Sequence, residues 1–171
     1  KMFSPSQAIA ITNTQQVLAT SDGGVSWISA SVLDEVLACA AYPAENCMFV
    51  AGKNGVHKVT FINNQELDIS KIGGSEDNMN ITSLMFNSCL YGYAFASDGS
   101  IYKTEQGNQL VKQNDMSAQS EIVAVAPLSS NSFVLLDNNA EISFTEDNNG
   151  LYSSKFWYDE LGRLIASQNS K

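Results

Sequence analysis

The side chains that could run acid–base, nucleophilic or metal chemistry are few, and their spacing does not assemble them. His57 is the only histidine, Arg163 the only arginine, and the cysteines are Cys39, Cys47 and Cys89. A Ser/His/Asp relay needs a nucleophile and an orienting acid around the imidazole, and nothing in the sequence sets them beside His57. Cys47 stands ten positions before it, across an expected turn. A zinc site would have to use all three cysteines together with His57. The carboxylate pairs Asp34-Glu35, Glu76-Asp77 and Asp159-Glu160 are adjacent in sequence. Neighbours along a strand point to opposite faces, whereas glycoside hydrolysis needs two carboxyls facing each other across one site. Gly73-Gly74 precedes no helix that could cradle a phosphate. Ser21-Asp22-Gly23-Gly24 lacks the repeated oxygen ligands of a calcium loop. The expectation is a chain with no catalytic residues, no metal site and no cofactor.

Charge narrows the partners. Of the 171 residues 18 are acidic and 9 basic, a net charge of −9, while 44% are hydrophobic and 16% charged. A nucleic-acid binder needs clustered Lys and Arg to displace counterions, so nucleic acid is excluded, anionic lipid is disfavoured, and a basic or neutral protein surface is favoured. No run of 18 apolar residues exists, so no transmembrane helix is expected. The start, Lys1-Met2-Phe3-Ser4-Pro5, does not read as an intact signal peptide. Lumenal, organellar and extracellular settings all stay open. Three cysteines are odd and sparse, which argues against a disulfide framework. Cys39, within Leu37-Ala38-Cys39-Ala40-Ala41, reads as a small buried hydrophobe; a Cys39–Cys47 bridge across a hairpin stays open. Asn80-Ile81-Thr82 fits the glycosylation pattern.

The elements that must position any site come from repetition. Four short runs end in Thr20, Thr60, Thr104 and Thr145, each followed by a polar turn. Before each threonine lies a tight-turn signal, at Asn13-Thr14-Gln15, Asn54-Gly55, Asp98-Gly99 and Asn138-Asn139. Before each turn is another apolar run, at residues 8–11, 48–51, 93–96 and 133–136. Further small, apolar runs lie between units, at 36–41, 81–86 and 122–126. Four strands in about 40 residues is the period of a β-propeller blade. The prediction is an all-β chain of about four four-stranded antiparallel blades, in units at 7–31, 36–70, 80–113 and 121–157. The runs between units are the innermost strands, and alternating runs such as Glu66-Leu67-Asp68-Ile69-Ser70 are the outer edges. The first unit lacks an innermost strand, while Arg163-Leu164-Ile165-Ala166-Ser167 supplies a run of that type at the other end. Either 163–167 is a closing strand that pairs into the first unit and completes a small ring, or the four blades are part of a larger ring, completed by self-association or by other residues.

One turn carries a sharp motif. Thr20-Ser21-Asp22-Gly23-Gly24-Val25-Ser26-Trp27 matches S/T-x-D-x-G-x-S/T-W at every defined position. Asp22 is expected to accept backbone N–H bonds, Gly24 to take positive φ, and Ser26 and Trp27 to close the turn, with Trp27 covering it. The turns after Thr60, Thr104 and Thr145 are eroded forms. The pattern resembles the Asp-box, or BNR-repeat, β-propellers, among them sialidases, sortilin-type receptors and photosystem II assembly and stability factors. The segment Tyr91 to Thr104 looks most like a blade of the assembly-factor type. In that superfamily the box is a folding device, which implies a structural role for Thr20, Asp22, Gly24, Ser26 and Trp27. Sialidases hold a substrate carboxylate with three arginines, and one arginine cannot do so. The assembly factors form larger rings with an arginine-rich patch, so the resemblance carries the fold further than the partner site.

The reading is a non-enzymatic interaction or scaffold module, a subunit or assembly factor of a larger complex. The alternative is a glycan-binding or degenerate sialidase-like propeller, for which Tyr91, Tyr93, Tyr152, Phe156, Trp157 and Tyr158 are the candidate platform aromatics.

Overall fold

The computed structural model of the chain describes residues 1–31, 37–63, 65–72, 79–118, 120–129, 132–139, 141–145, 151–158 and 164–170. Among these are four antiparallel sheets and no helix. The first sheet is β1 (Ala8–Ile11), β2 (Gln16–Thr20) and β3 (Ile28–Ser31). The second is β4 (Leu37–Ala44), β5 (Cys47–Gly52), β6 (Gly55–Asn63) and β7 (Glu66–Lys71). The third is β8 (Ile81–Phe86), β9 (Gly92–Ala96), β10 (Ser100–Thr104) and β11 (Val111–Ser117). The fourth is β12 (Ile122–Pro127), β13 (Phe133–Asp137), β14 (Glu141–Thr145), β15 (Leu151–Tyr158) and β16 (Leu164–Ser170). Strands follow one another in chain order within every sheet, so each sheet is a meander.

Tight turns make the meanders. Gly55 and Gly99 adopt φ of +119° and +82°, and Gln15 takes the left-handed conformation at +63° where the first unit has no glycine. Aspartates hold two of the turns. The Ser100 amide and hydroxyl each donate to Asp98 at 2.9 Å. Buried Asp137 accepts from the Asn139 amide at 2.9 Å and the Glu141 amide at 2.8 Å, and from the Ser120 hydroxyl at 2.6 Å.

The four threonines occupy equivalent register positions. Thr20 pairs with Ala8 and Thr104 with Gly92. The registers Met48 to Val59 and Val134 to Phe144 bring Thr60 opposite Cys47 and Thr145 opposite Phe133. Each partner is the first residue of the preceding strand. Thr60 differs in two respects: it is half-buried where the other three are buried, and it does not end its strand. Phe61 pairs with Leu67, so β6 and β7 run on together past the threonine before turning.

The core lies between sheets rather than inside any one of them. Alternation along β5 sends Cys47, Phe49 and Ala51 toward the third sheet and Met48 and Val50 toward the first. Along β9, Ala94 and Ala96 meet the second sheet, while Tyr93 and Phe95 meet the fourth. Strands apolar on both faces follow from stacking on two neighbours. The inner strands β4, β8 and β12 lie side by side, with β1 next to β4.

The first sheet has three strands, as expected of a unit without an innermost run, and the last has five. Two points of the sequence reading are corrected. The tail strand β16 does not close the first sheet; it pairs antiparallel with β15, Trp157 opposite Ala166. A small-apolar composition marks a strand as easy to bury, but says nothing of which edge it joins. Finally, Cys47 bonds Cys89, with Cα atoms 5.8 Å apart, and Cys39 is the free thiol. Asp34-Glu35, Gly73-Gly74, Glu76-Asp77, Asp159-Glu160, Arg163 and the turn after Thr145 lie outside the described residues.

Candidate functional site

The Thr20–Trp27 turn is built as its residue types demand. The Ser26 hydroxyl donates to Asp22 Oδ2 at 2.5 Å, and the Ser26 amide reaches both carboxylate oxygens at 2.9 and 3.1 Å. The Thr20 hydroxyl donates to Asp22 Oδ1 at 2.8 Å while its oxygen accepts from the Gly24 amide at 3.0 Å. Gly24 has φ +88°, and a Cβ there would stand 3.6 Å from Trp27 Nε1, so the indole lies over the glycine. Trp27 is 46% exposed and covers the turn with one face only. The side-chain oxygens of Thr20, Asp22 and Ser26 are all engaged within the turn, while the Gly23 amide donates outward to the Ser6 carbonyl at 2.9 Å. The bonds from Ser26 and then Thr20 hold Asp22 well below the usual carboxylate range, at about 2.

A pH prediction follows. A depressed carboxylate contributes stability that is present above the usual carboxylate range and lost as pH falls toward the folded value. Asp22→Asn is therefore expected to speed exchange of the Ser26 amide near pH 6. The difference from the unaltered chain should shrink between pH 4 and pH 2. A constant difference across that range would mean that the charge of Asp22 is not what holds the turn.

The third sheet repeats the threonine cap and builds something different around it. Thr104 Oγ1 accepts from the Gly107 amide at 2.9 Å, as Thr20 does from Gly24. Gly107 has φ +67°, and a Cβ on it would run into the Cys89 carbonyl oxygen, so this turn is pressed against the disulfide loop. One residue before Thr104, Lys103 reaches Glu105 at 2.7 Å, its side chain only 12% exposed. Its ammonium also stands 5.6 Å from the centre of the Tyr91 ring and 6.0 Å from that of Tyr93.

Burial works against the Lys103 charge. The hydrogen bond to Glu105, with the Glu105 charge, outweighs it, and the ammonium is held above its ordinary range. Glu105 is held below its own range by that bond and by the Lys103 charge, with a smaller contribution from Tyr91. The two shifts agree on an ion pair. Burial raises Tyr93, which keeps its proton.

The pair forms one wall of a cavity of about 380 Å³, completed by Gln106, Asn108, Gln109, Gln113 and Val111. Four carboxamides, a neutralised ion pair and one apolar side chain make a pocket of no net charge, rich in both donors and acceptors. Sequence reasoning marked Tyr91 but missed Lys103, Glu105 and the amides. Their signal was a run of Gln and Asn after the third threonine, composed of residue types that carry no chemistry of their own.

The other candidates are not gathered there. Tyr93 is buried and packs edge-on to Phe133, with ring centroids 5.0 Å apart. Tyr152, Phe156, Trp157 and Tyr158 belong to β15, and their side chains lie outside the described residues. His57 is buried on β6, opposite Val50. Among the described residues no group of three or more His, Cys, Asp or Glu could hold a metal ion, and no helix is long and apolar enough to cross a membrane.

No family model matches the chain, and no curated protein matches it. Solved structures do. One is YCF48 bound to D1 peptide, with a TM-score of 0.63 and 13% identity over 87% of this chain and 50% of that one. Another is YCF48 from Cyanidioschyzon merolae, also with a TM-score of 0.63 and 13% identity, over 88% of this chain and 48% of that one. The chain thus spans about half the length of the structures it resembles. At this identity the likeness shows the fold, and the fold is that of a β-propeller.

Proposed function

We propose that these propeller blades form a non-enzymatic interaction module, a subunit or assembly factor of a larger complex, that grips a protein partner at the Lys103 pocket. The observation that carries the reading is the make-up of the pocket. Carboxamides present N–H and C=O groups in the same pattern as a peptide backbone, so an extended peptide can satisfy both kinds. Glu105, tied to Lys103 and held ionised, is a poor general base, and no nucleophile accompanies it. The net charge of −9 favours a basic or neutral partner. YCF48, one of the similar propellers, is described bound to a D1 peptide; a peptide is the kind of ligand proposed for the present chain. The bonding of the Thr20–Trp27 turn supports placing the chain with the Asp-box propellers, with Asp22, Gly24 and Trp27 as structural residues.

A glycan is the second reading, favoured by the 36% exposure of Tyr91 next to the Lys103–Glu105 pair. Sugar stacking needs a free ring face, however, and the Lys103 ammonium already stands over that ring.

Affinity capture followed by crosslinking decides between them. The chain should retain one protein in 1:1 ratio, and Gln106→Ala combined with Gln109→Ala should weaken that retention at least tenfold while leaving the fold intact. Retention unchanged in the double variant would remove the pocket from the proposal. A glycan-array signal abolished by Tyr91→Ala would establish the second reading instead.

A further inference from the structure

We infer that Asn80 accepts an N-linked oligosaccharide, attached before β8 pairs with β9 and carried at the end of the sheets away from the Lys103 pocket. The site stands apart from that pocket, which lies on the third sheet at the other end of β10.

Two independent observations point to it. Asn80-Ile81-Thr82 is the one tripeptide in 171 residues that fits the Asn-x-Ser/Thr acceptor pattern. The Cys47–Cys89 bond ties the second sheet to the loop before β9. Disulfides form and persist in oxidising compartments, the setting in which such acceptor tripeptides are read.

The fold presents the acceptor. Asn80 has φ +43°, a left-handed conformation that asparagine adopts more readily than most residues. Its amide donates to the Lys53 carbonyl and its carbonyl accepts from the Ser97 amide, both at 3.0 Å. Lys53 and Ser97 lie in the β5–β6 and β9–β10 turns, so the Asn80 backbone is pinned between the second sheet and the third. The residue itself is exposed. Its Nδ2 donates to Ser97 Oγ at 2.6 Å, a bond that uses one of two amide hydrogens and leaves the other to be replaced by a sugar.

The hydroxyl that completes the motif sets the timing. Thr82 is half-buried on β8, and its Oγ1 donates to the Phe95 carbonyl at 3.3 Å. Ile81 pairs with Ala96 and Ser83 with Phe95, so the tripeptide enters the β8–β9 ladder at its second residue. A transferase that must hold the threonine hydroxyl and the backbone beside it reaches them only while β8 is unpaired. The reaction is a glycosyl transfer. Asn80 Nδ2 forms a bond to the anomeric carbon of an oligosaccharide carried on a polyprenyl pyrophosphate. The C–O bond to the pyrophosphate breaks, the lipid pyrophosphate leaves with the electron pair, and the Nδ2 proton passes to a base of the transferase.

Position decides the consequence. β10 runs from the Asn80 end at Ser100 to the pocket end at Thr104, five residues that span about 13 Å. A glycan on Asn80 shields the tight-turn end of the second and third sheets and leaves the pocket end open.

The test is translation of the full chain, preceded by a cleavable signal peptide, in the presence of microsomes. The product should be heavier by one core oligosaccharide, and an amidase that releases N-linked sugars should remove it and leave aspartate at position 80. Asn80→Asp, which keeps a residue suited to the left-handed backbone, and Thr82→Val, which leaves Asn80 in place, should each abolish the shift; Thr82→Ser should retain it. The modified chain should still form the Cys47–Cys89 bond, read as a change of mobility on reduction. The chain folded first, then given transferase and lipid-linked donor, should be modified at least tenfold less. An unshifted product overturns the inference, as does a shift that survives Asn80→Asp or a modified chain that fails to form the disulfide. Equal modification of the prefolded chain overturns the order of events.

Discussion

Phe49→Ala is expected to lower the free energy of unfolding by about 3–5 kcal/mol, the range for removing a buried phenylalanine from a packed core. Phe49 is fully buried on β5, and its ring stacks on Phe86 of the third sheet with centroids 3.9 Å apart and planes 20° from parallel. Several of its neighbours are small. Ala51, Ala94 and Ala96 line the same interface and have no side chain to swing. Phe86 is wedged from behind, because the space a Cβ on Gly92 would need is taken by its ring. Cost depends on how far a site can collapse, and this one is held on both sides, so the upper half of the range applies. The midpoint of urea unfolding should fall with the slope unchanged. Val25→Ala, at an 89% exposed turn position, should change stability by less than about 0.5 kcal/mol. A Phe49→Ala cost below about 1 kcal/mol would mean that the second and third sheets do not pack on each other through this ring pair.

Where the sequence reading succeeded, local chemistry and architecture demanded the same residue. A tight turn needs positive φ, and Gly55 and Gly99 stand where it is needed. A blade packed on both faces needs uninterrupted apolar strands, and Met48-Phe49-Val50-Ala51 is one. The Thr20–Trp27 motif is local, since the side-chain hydrogen bonds of Thr20, Asp22 and Ser26 each span four residues or fewer. The failures lie where the deciding contact is distant. Whether Leu164–Ser170 joins β15 or β1 is a choice between two edges that composition does not distinguish. The Cys47–Cys89 bond spans 42 residues, close to one repeat. That number was the available signal: two cysteines one repeat apart fall at the same end of adjacent blades. The Lys103 pocket was hidden because carboxamides identify themselves only when a fold points several into one space.

Breaking the Cys47–Cys89 bond is expected to destabilise the chain by about 4 kcal/mol, the loop-closure cost for a cross-link of this span. The bond ties the first residue of β5 to the loop before β9, and so joins the second sheet to the third at one end of their interface. Its influence continues into the candidate site. The Gly107 turn is packed on the Cys89 carbonyl, and Gln106 and Asn108 flank that glycine in the pocket wall. Dithiothreitol should therefore loosen the pocket along with the sheet pair. Amides of residues 105–109 should lose exchange protection at reductant concentrations that leave the first sheet protected. A Cys47→Ala, Cys89→Ala chain should show the same loss without reductant and no further response to it. Cys39 does not complicate the measurement. Burial pushes its thiol up to about 12, so at neutral pH almost none of it is thiolate and it is a slow exchange partner. Because Phe49 and the disulfide hold one interface, their removal together should cost less than the two effects added. Additive losses would mean that ring pair and cross-link support separate parts of the molecule, and an unfolding midpoint unmoved by reductant would mean that the bond contributes nothing to the stacked pair.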